Sequence, residues 1–138
     1  MSTSTRLTMR LATACVLGAT VIALAGCGSS KPGYCSKRTN LENSVKGLTD
    51  LNPSAGISGL QAQVQKIESD ASALVGSAKS DFPSETSAIS SAVDQFTSAV
   101  KGLASSQTAA QIGKVANAAS NVVSSVNSFV SASSSKCS

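Results

Sequence analysis

The side chains that could do chemistry in this 138-residue chain are seven carboxylates, four cysteines and many serines. The chain has no histidine, so it lacks the imidazole that most often serves as general base or metal ligand. No G-x-S-x-G motif, glycine-rich phosphate loop or metal-ligand spacing accompanies these side chains. The sequence therefore predicts a protein that is not an enzyme, with no catalytic residue and no bound metal.

The carboxylates are predicted to lie on solvated helix faces, because none of them falls on an apolar stripe. Glu42 has Lys46 one helical turn away, and Asp70 has Lys66, so we expect two surface ion pairs. The seven carboxylates are Glu42, Asp50, Glu68, Asp70, Asp81, Glu85 and Asp94.

The composition of the chain excludes a further class of function. The length suits one domain, and serine and alanine together make up about a third of the chain. The net charge of +4 is scattered along the chain and only 3% of the residues are aromatic. Nucleic-acid binding is not expected, since it needs a concentrated basic surface and aromatic stacking partners.

The N-terminus has the pattern of an export signal. Residues 1–10 carry Arg6 and Arg10 without an acid, and residues 11–25 are uncharged and rich in leucine, alanine and valine. A short transmembrane anchor is the alternative. The segment 11–27 is 17 residues long, which is at or below the length needed to cross ~30 Å of hydrocarbon, and Gly and Ser follow it rather than a basic cluster.

The end of this run carries a more specific motif. Leu24, Ala25, Gly26 and Cys27 resemble the lipobox of bacterial lipoproteins. That resemblance implies that a type II signal peptidase recognises the first three residues and cuts before Cys27, whose thiol carries a covalent diacylglycerol. It predicts a signal peptide over residues 1–26, a lipidated tether over 27–34 and a domain over 35–138, with no other cofactor.

The chain as a whole looks like the small lipoproteins that high-GC actinobacteria export, sometimes labelled small secreted proteins. The lipobox is the specific match, and the looser ones are Gly33-Tyr34-Cys35, Leu41-Glu42 with Val45, and the penultimate Cys137. The resemblance implies a lipid anchor on the outer face of the cell membrane and supplies no activity.

One cysteine pairing remains after this interpretation. Cys15 leaves with the signal peptide and Cys27 is alkylated, so Cys35 and Cys137 are left in an oxidising exterior. We predict a disulfide between them.

Four amphipathic stripes at helical spacing follow the tether. Three capping boxes accompany them: Thr39 with Glu42, where the first helix is expected to begin, Ser58 with Gln61, and Thr108 with Gln111. The stripes are Tyr34, Arg38, Leu41, Val45 and Leu48; Leu60, Val64, Ile67, Ala71, Leu74 and Ala78; Ile89, Val93, Phe96, Val100 and Leu103; and Ile112, Val115, Ala119, Val122, Val126, Phe129 and Ser133.

Short connections near residues 52–56, 79–84 and 104–107 separate the stripes, so we predict an all-α, antiparallel up-down-up-down four-helix bundle. That topology brings Cys35 and Cys137 to the same end. Two points stay open. Residues 122–126 are rich in β-branched side chains and could form a strand. Val45-Lys46-Gly47-Leu48 recurs at residues 100–103, which suggests either a duplicated hairpin or chance in a low-complexity sequence.

The function predicted is a non-enzymatic binding or structural module at the cell envelope. Its partners would be the membrane, through the anchor, and an envelope protein or ligand that the sequence does not identify. Lys31, Lys37, Arg38 and Lys136 are expected beside the membrane, and loops 52–58 and 104–108 face away from it. The alternatives are a carrier of a hydrophobic ligand such as a lipid, and an inhibitor or phage-exclusion lipoprotein.

Overall fold

The computed structural model describes residues 30–138, which contain four α-helices, one 3-10 turn at Pro53–Ala55 and no strand. Lys31–Ser138 form one compact unit. The all-α prediction is confirmed for this part of the chain. The helices are α1 (Gly33–Thr49), α2 (Gly56–Ala78), α3 (Pro83–Ser105) and α4 (Ala109–Cys137).

Each helix packs against its neighbour in the chain, α1 on α2, α2 on α3 and α3 on α4, while α1 also meets α4 over a smaller contact. The connections are short: residues 50–55, which include the 3-10 turn, residues 79–82 and residues 106–108. The β-branched segment 122–126 is helical, so the strand interpretation of that region is wrong.

The first helix begins earlier than expected. α1 begins at Gly33, directly after Pro32, because proline fixes a backbone angle that suits helix entry. Thr39 lies inside the helix, where its hydroxyl donates to the carbonyl of Cys35 at 3.2 Å. The prediction of a capping box at Thr39 and Glu42 was therefore wrong.

The second predicted cap is also wrong, and the third is confirmed in part. α2 begins at Gly56, whose φ of 61° is a left-handed conformation that glycine adopts without strain, and Ser58 donates to the carbonyl of Ala55 instead of capping. Thr108 does cap α4, since its hydroxyl accepts from the backbone N–H of Gln111 at 3.2 Å.

The start of α3 follows its sequence signal. Phe82 is the N-cap residue, Pro83 occupies the first turn, and Glu85 places its negative charge near the positive end of the helix dipole. The hydroxyl of Thr86, which is buried, donates to the carbonyl of Phe82 at 2.7 Å. This turn carries Phe82 onto the core.

The core is built from one stripe per helix and is closely packed. Phe96 and Phe129 are its largest fully buried side chains. Buried alanines at positions 71, 78, 92 and 118 let the helices approach one another closely. One stripe residue departs from expectation: Ile112 was predicted to be buried, but 57% of it is exposed.

No helix within residues 30–138 has both the length and the apolar character needed to cross a bilayer.

Candidate functional site

The predicted lipid attachment site lies outside the described residues. Leu24, Ala25, Gly26 and Cys27 precede Ser30, where the description begins. Their roles stay predictions from the sequence. What the structure adds is the position of the domain that follows: α1 begins six residues after Cys27.

The predicted disulfide is confirmed. Cys35 and Cys137 are bonded, with their Cα atoms 5.5 Å apart and a separation of 102 positions in sequence. Both are buried, and the bond joins the first turn of α1 to the last residue of α4. The two ends of the domain are therefore covalently closed at one place.

Three aromatic rings pack against one another, and one of them belongs to Tyr34, which directly precedes Cys35. Tyr34, Phe82 and Phe129 pack edge to face, with ring centroids 5.2 to 6.4 Å apart. They come from α1, the connection before α3, and α4, so they tie three segments together. They are three of the four aromatic residues in the chain.

Tyr34 carries an ionisable group whose pKa is changed by its surroundings. Its ring is buried, and Asp81 lies close enough to interact with its hydroxyl, although the two groups do not have the geometry of a regular hydrogen bond. Burial raises the pKa of Tyr34 above 10, and the negative charge of Asp81 raises it further. The Tyr34 hydroxyl is therefore protonated and uncharged at neutral pH.

Two carboxylates lie between helices instead of on open faces. Glu68 accepts a hydrogen bond from the hydroxyl of Thr97 at 2.8 Å, and Asp70 accepts one from Ser44, which is fully buried. Each contact crosses from one helix to its neighbour, so these acids fix how the helices align. Sequence reasoning missed this because the acids lie next to the apolar stripe and not on it.

The two predicted lysine–carboxylate pairs do not form in the described part of the chain. Glu42 instead faces Arg38, with 3.8 Å between Nε and the carboxylate oxygen. Asp70 is engaged by Ser44 and does not contact Lys66. Within residues 30–138, no three of the cysteines and carboxylates are grouped closely enough to hold a metal ion.

Three of the four basic residues expected near the membrane are exposed to solvent. Lys31, Lys37 and Lys136 are exposed. Arg38 is turned inward, where it donates to the hydroxyl of Ser133 at 3.3 Å and its side chain is only 18% exposed. A membrane surface could therefore be met by the three lysines but not by Arg38.

A concave surface lies between α1 and α4. It is a groove of about 890 Å³ with Leu48, Ala119 and Val123 among its lining residues. A second groove of about 360 Å³ shares Thr49, Val123 and Asn127 with it, so the two form one surface, which we call the α1–α4 groove. Its rim is made of uncharged serine, threonine and asparagine side chains apart from Glu42 and Lys46.

The groove and Ile112 belong to the same side of α4. Ile112, Ala119 and Val123 follow one another at spacings of seven and four residues, which places them on one helix face. Ala119 and Val123 are half-buried beside α1, and Ile112 is the large apolar side chain left exposed among the described residues. The exposure of Ile112 was not predicted, since the sequence alone does not show where α1 ends relative to α4.

Comparison of the chain with protein-family models, with curated proteins and with solved structures found no match.

Proposed function

We propose that this protein is a lipid-anchored docking module on the outer face of the cell membrane, without enzymatic activity. The anchor is a diacylglycerol on Cys27, following signal-peptide cleavage after Gly26, as in small actinobacterial lipoproteins. The sequence pattern of residues 1–27 supports this part. The domain that follows supports the rest.

We also propose that the four helices run up-down-up-down. Each helix contacts its chain neighbours, the connections are short, and the disulfide joins the start of α1 to the end of α4. In this topology the bundle has two ends. The disulfide end carries Cys35 and Cys137, and the distal end carries the connections 50–55 and 106–108.

The tether then sets the orientation of the bundle on the membrane. Residues 28–33 span at most ~20 Å when extended, so the disulfide end stays close to the bilayer. The distal end is free to meet a protein. Anionic headgroups would attract Lys31, Lys37 and Lys136 by roughly 1 kcal/mol each, which favours the same orientation.

The exposure of Ile112 is the observation that carries the docking function. Ile112 is branched, 57% exposed and four residues after the connection 106–108, so it leaves an apolar group at the distal end for a partner to cover. Leu51 and Ile57, in and just after the connection 50–55, are half-buried. The surface at the distal end is therefore partly apolar.

A lipid carrier has weaker support in the geometry. A carrier would need an enclosed cavity lined by large apolar side chains. Phe96, Phe129 and Leu74 are instead fully buried in the packed core, and the grooves of the described residues are open to solvent. Lipid that copurifies with the protein, beyond the anchor itself, would favour the carrier.

The anchor is tested by Cys27→Ser. We expect this variant to remain uncleaved or to be shed into the medium, whereas wild type stays in the membrane fraction. Cys15→Ser is the matched control and should behave like wild type, because Cys15 lies in the signal peptide. If Cys27→Ser were cleaved normally and stayed in the membrane, the anchor proposal would fail.

The docking end is tested by photo-crosslinking in the native host. A benzophenone amino acid at Gln107, which is exposed at the distal end, should crosslink to a different protein. The same probe at Ser80, which is exposed in the connection 79–82, is the control and should not. Crosslinks from Ser80 alone would place the partner at the membrane and overturn the orientation.

A further inference from the structure

A polar groove runs between α3 and α4. Its first part has a volume of about 630 Å³ and lies beside Gly102 and Gln111, close to the connection 106–108. Its second part, of about 250 Å³, lies nearer the start of α3 and shares Gln95 and Asn121 with the first. We call the two parts together the α3–α4 groove.

The two helices line this groove in opposite directions. A Cβ atom placed on Gly102 would lie 3.1 Å from Oε1 of Gln111, so these two residues face each other. Further along, Ala88 of α3 lines the groove together with Ser125 of α4. Residue numbers therefore rise along α4 as they fall along α3, which fixes how far apart any two lining residues are along the groove.

Four side-chain amides line the groove above a floor of small residues. The floor includes Ala118, which is buried, and Ala99, which is half-buried. Each amide offers a C=O acceptor and an NH₂ donor, the same kinds of group as a peptide bond. Three of the amides belong to exposed residues and the fourth to a half-buried one, so a ligand in the groove can reach them. The four are Gln95, Gln111, Asn117 and Asn121.

Two opposite charges stand along the same groove. Asp94 of α3 and Lys114 of α4 are both exposed and both line it. From the facing pair Gly102 and Gln111, Asp94 lies eight residues back along α3 and Lys114 three residues forward along α4. At the helical rise per residue, the two charges are therefore ~7.5 Å apart along the groove.

We propose that the α3–α4 groove binds an extended segment of a partner polypeptide that carries an acidic and a basic side chain two residues apart. The acidic side chain pairs with Lys114 and the basic one with Asp94, while the amides bind the backbone between and beside them. This inference rests on the docking function proposed above and names the chemistry of the partner.

The spacing of the charges supports an extended chain as the occupant. Residues i and i+2 of an extended chain point to the same face and are ~6.8 Å apart, which matches the separation of Asp94 and Lys114. The amides support it too, because an extended chain has backbone N–H and C=O groups free to pair, whereas a helix has satisfied its own. A neutral glycan would pair with the amides but would leave both charges unused.

NMR titration of the isotope-labelled full chain, purified from host membranes in detergent, tests the groove. The probe is the peptide Thr-Val-Glu-Thr-Lys-Val-Thr with blocked ends, whose β-branched residues favour an extended chain. The control peptide, Thr-Val-Glu-Lys-Thr-Val-Thr, has the same composition but places its charges on opposite faces. The probe should bind more tightly than the control and shift the side-chain amide signals of Gln95 and Asn117, but not that of Asn52 outside the groove.

Charge reversal separates specific pairing from a general effect of charge. Asp94→Lys should bind the probe roughly three- to tenfold more weakly, because an attraction becomes a repulsion, and should prefer a peptide with Glu in place of the Lys. Asp50→Lys makes the same change of charge at an exposed position outside the groove, so it is the matched control and should bind like wild type.

No binding of the probe by wild type, equal affinity for the two peptides, or equal weakening by Asp94→Lys and Asp50→Lys would each overturn the proposal. Tighter binding of a neutral N-acetylglucosamine tetramer would overturn it in favour of a glycan. These titrations report on the groove alone. A missing crosslink from Gln107 in the host would instead count against the docking end.

Discussion

At the scale of single residues, the disulfide between Cys35 and Cys137 is the covalent link within the domain. It joins residues 102 positions apart in sequence, so it connects the first turn of α1 to the end of α4.

Removal of the disulfide should lower the free energy of unfolding by about 4–5 kcal/mol on the chain-entropy model. Urea unfolding of Cys35→Ser, Cys137→Ser and the double variant measures this change. All three should lose the same amount, because each removes the same bond and both sulfurs are buried. Identical midpoints for wild type before and after verified reduction would contradict this.

Tyr34 leads to a prediction about how stability depends on pH. Because it is the only tyrosine in the chain, its ionisation can be followed by absorbance. Its pKa in the folded state is raised above 10 by burial and then by Asp81, whereas the unfolded chain should titrate near 10. Below that pH the hydroxyl is neutral in both states. As the pH rises further, the unfolded chain ionises first, so wild type loses stability.

The measurement is the tyrosinate absorbance of folded and urea-unfolded protein against pH. The folded midpoint should be the higher of the two. Tyr34→Phe should unfold with less dependence on pH above 10, because it has no phenol group to ionise. A folded midpoint below the unfolded one would show that the hydroxyl is not buried as described.

The sequence predicts the role of a residue when its amino-acid type determines that role. It does not when the role depends on where a neighbouring helix ends. The disulfide followed from elimination among four cysteines. Ile112 has the same apolar character and spacing as the rest of its stripe, so it was assigned to the core. Its exposure depends on where α1 ends, which is information that its own segment does not contain.

At the scale of the elements, helix boundaries depend on more than capping motifs. Three capping boxes were predicted and only Thr108 forms a cap. α1 begins after Pro32, and α2 begins at Gly56 after a 3-10 turn, so Thr39 and Ser58 are already inside their helices. Both hydroxyls donate to a carbonyl three or four residues earlier, which is a common alternative for threonine and serine in helices.

Thr108→Ala should therefore destabilise the bundle by about 1 kcal/mol, because the N–H of Gln111 loses its partner. Ser58→Ala and Thr39→Ala are the matched controls and should change the free energy of unfolding little or not at all, since neither side chain caps a helix. Chemical denaturation of the three variants makes the comparison. A larger loss for Ser58→Ala than for Thr108→Ala would mean that α2 begins at Ser58.

The number and order of the helices could be predicted because each stripe keeps a spacing of three and four residues over several turns. The lengths of the helices could not. α1 ends at Thr49, and Leu51 after it lies against Gly59. The pattern of apolar residues does not show that α1 ends at Thr49. The exposure of Ile112 on α4 follows from that end.

At the scale of the whole molecule, we propose an end anchored at the membrane, a packed bundle and an opposite end that is free to bind a partner. In the proposed orientation, the disulfide end lies near the membrane, and the connections 50–55 and 106–108 lie at the free end, beside the exposed Ile112.

The chemical state of Cys27 tests the central claim most directly. Mass spectrometry of the N-terminal peptide of the protein, purified from host membranes, measures where the chain begins and what it carries. The account predicts a chain that starts at Cys27 with a mass increased by a diacylglycerol. A free thiol at Cys27, or a peptide that still contains residues 1–26, would contradict it.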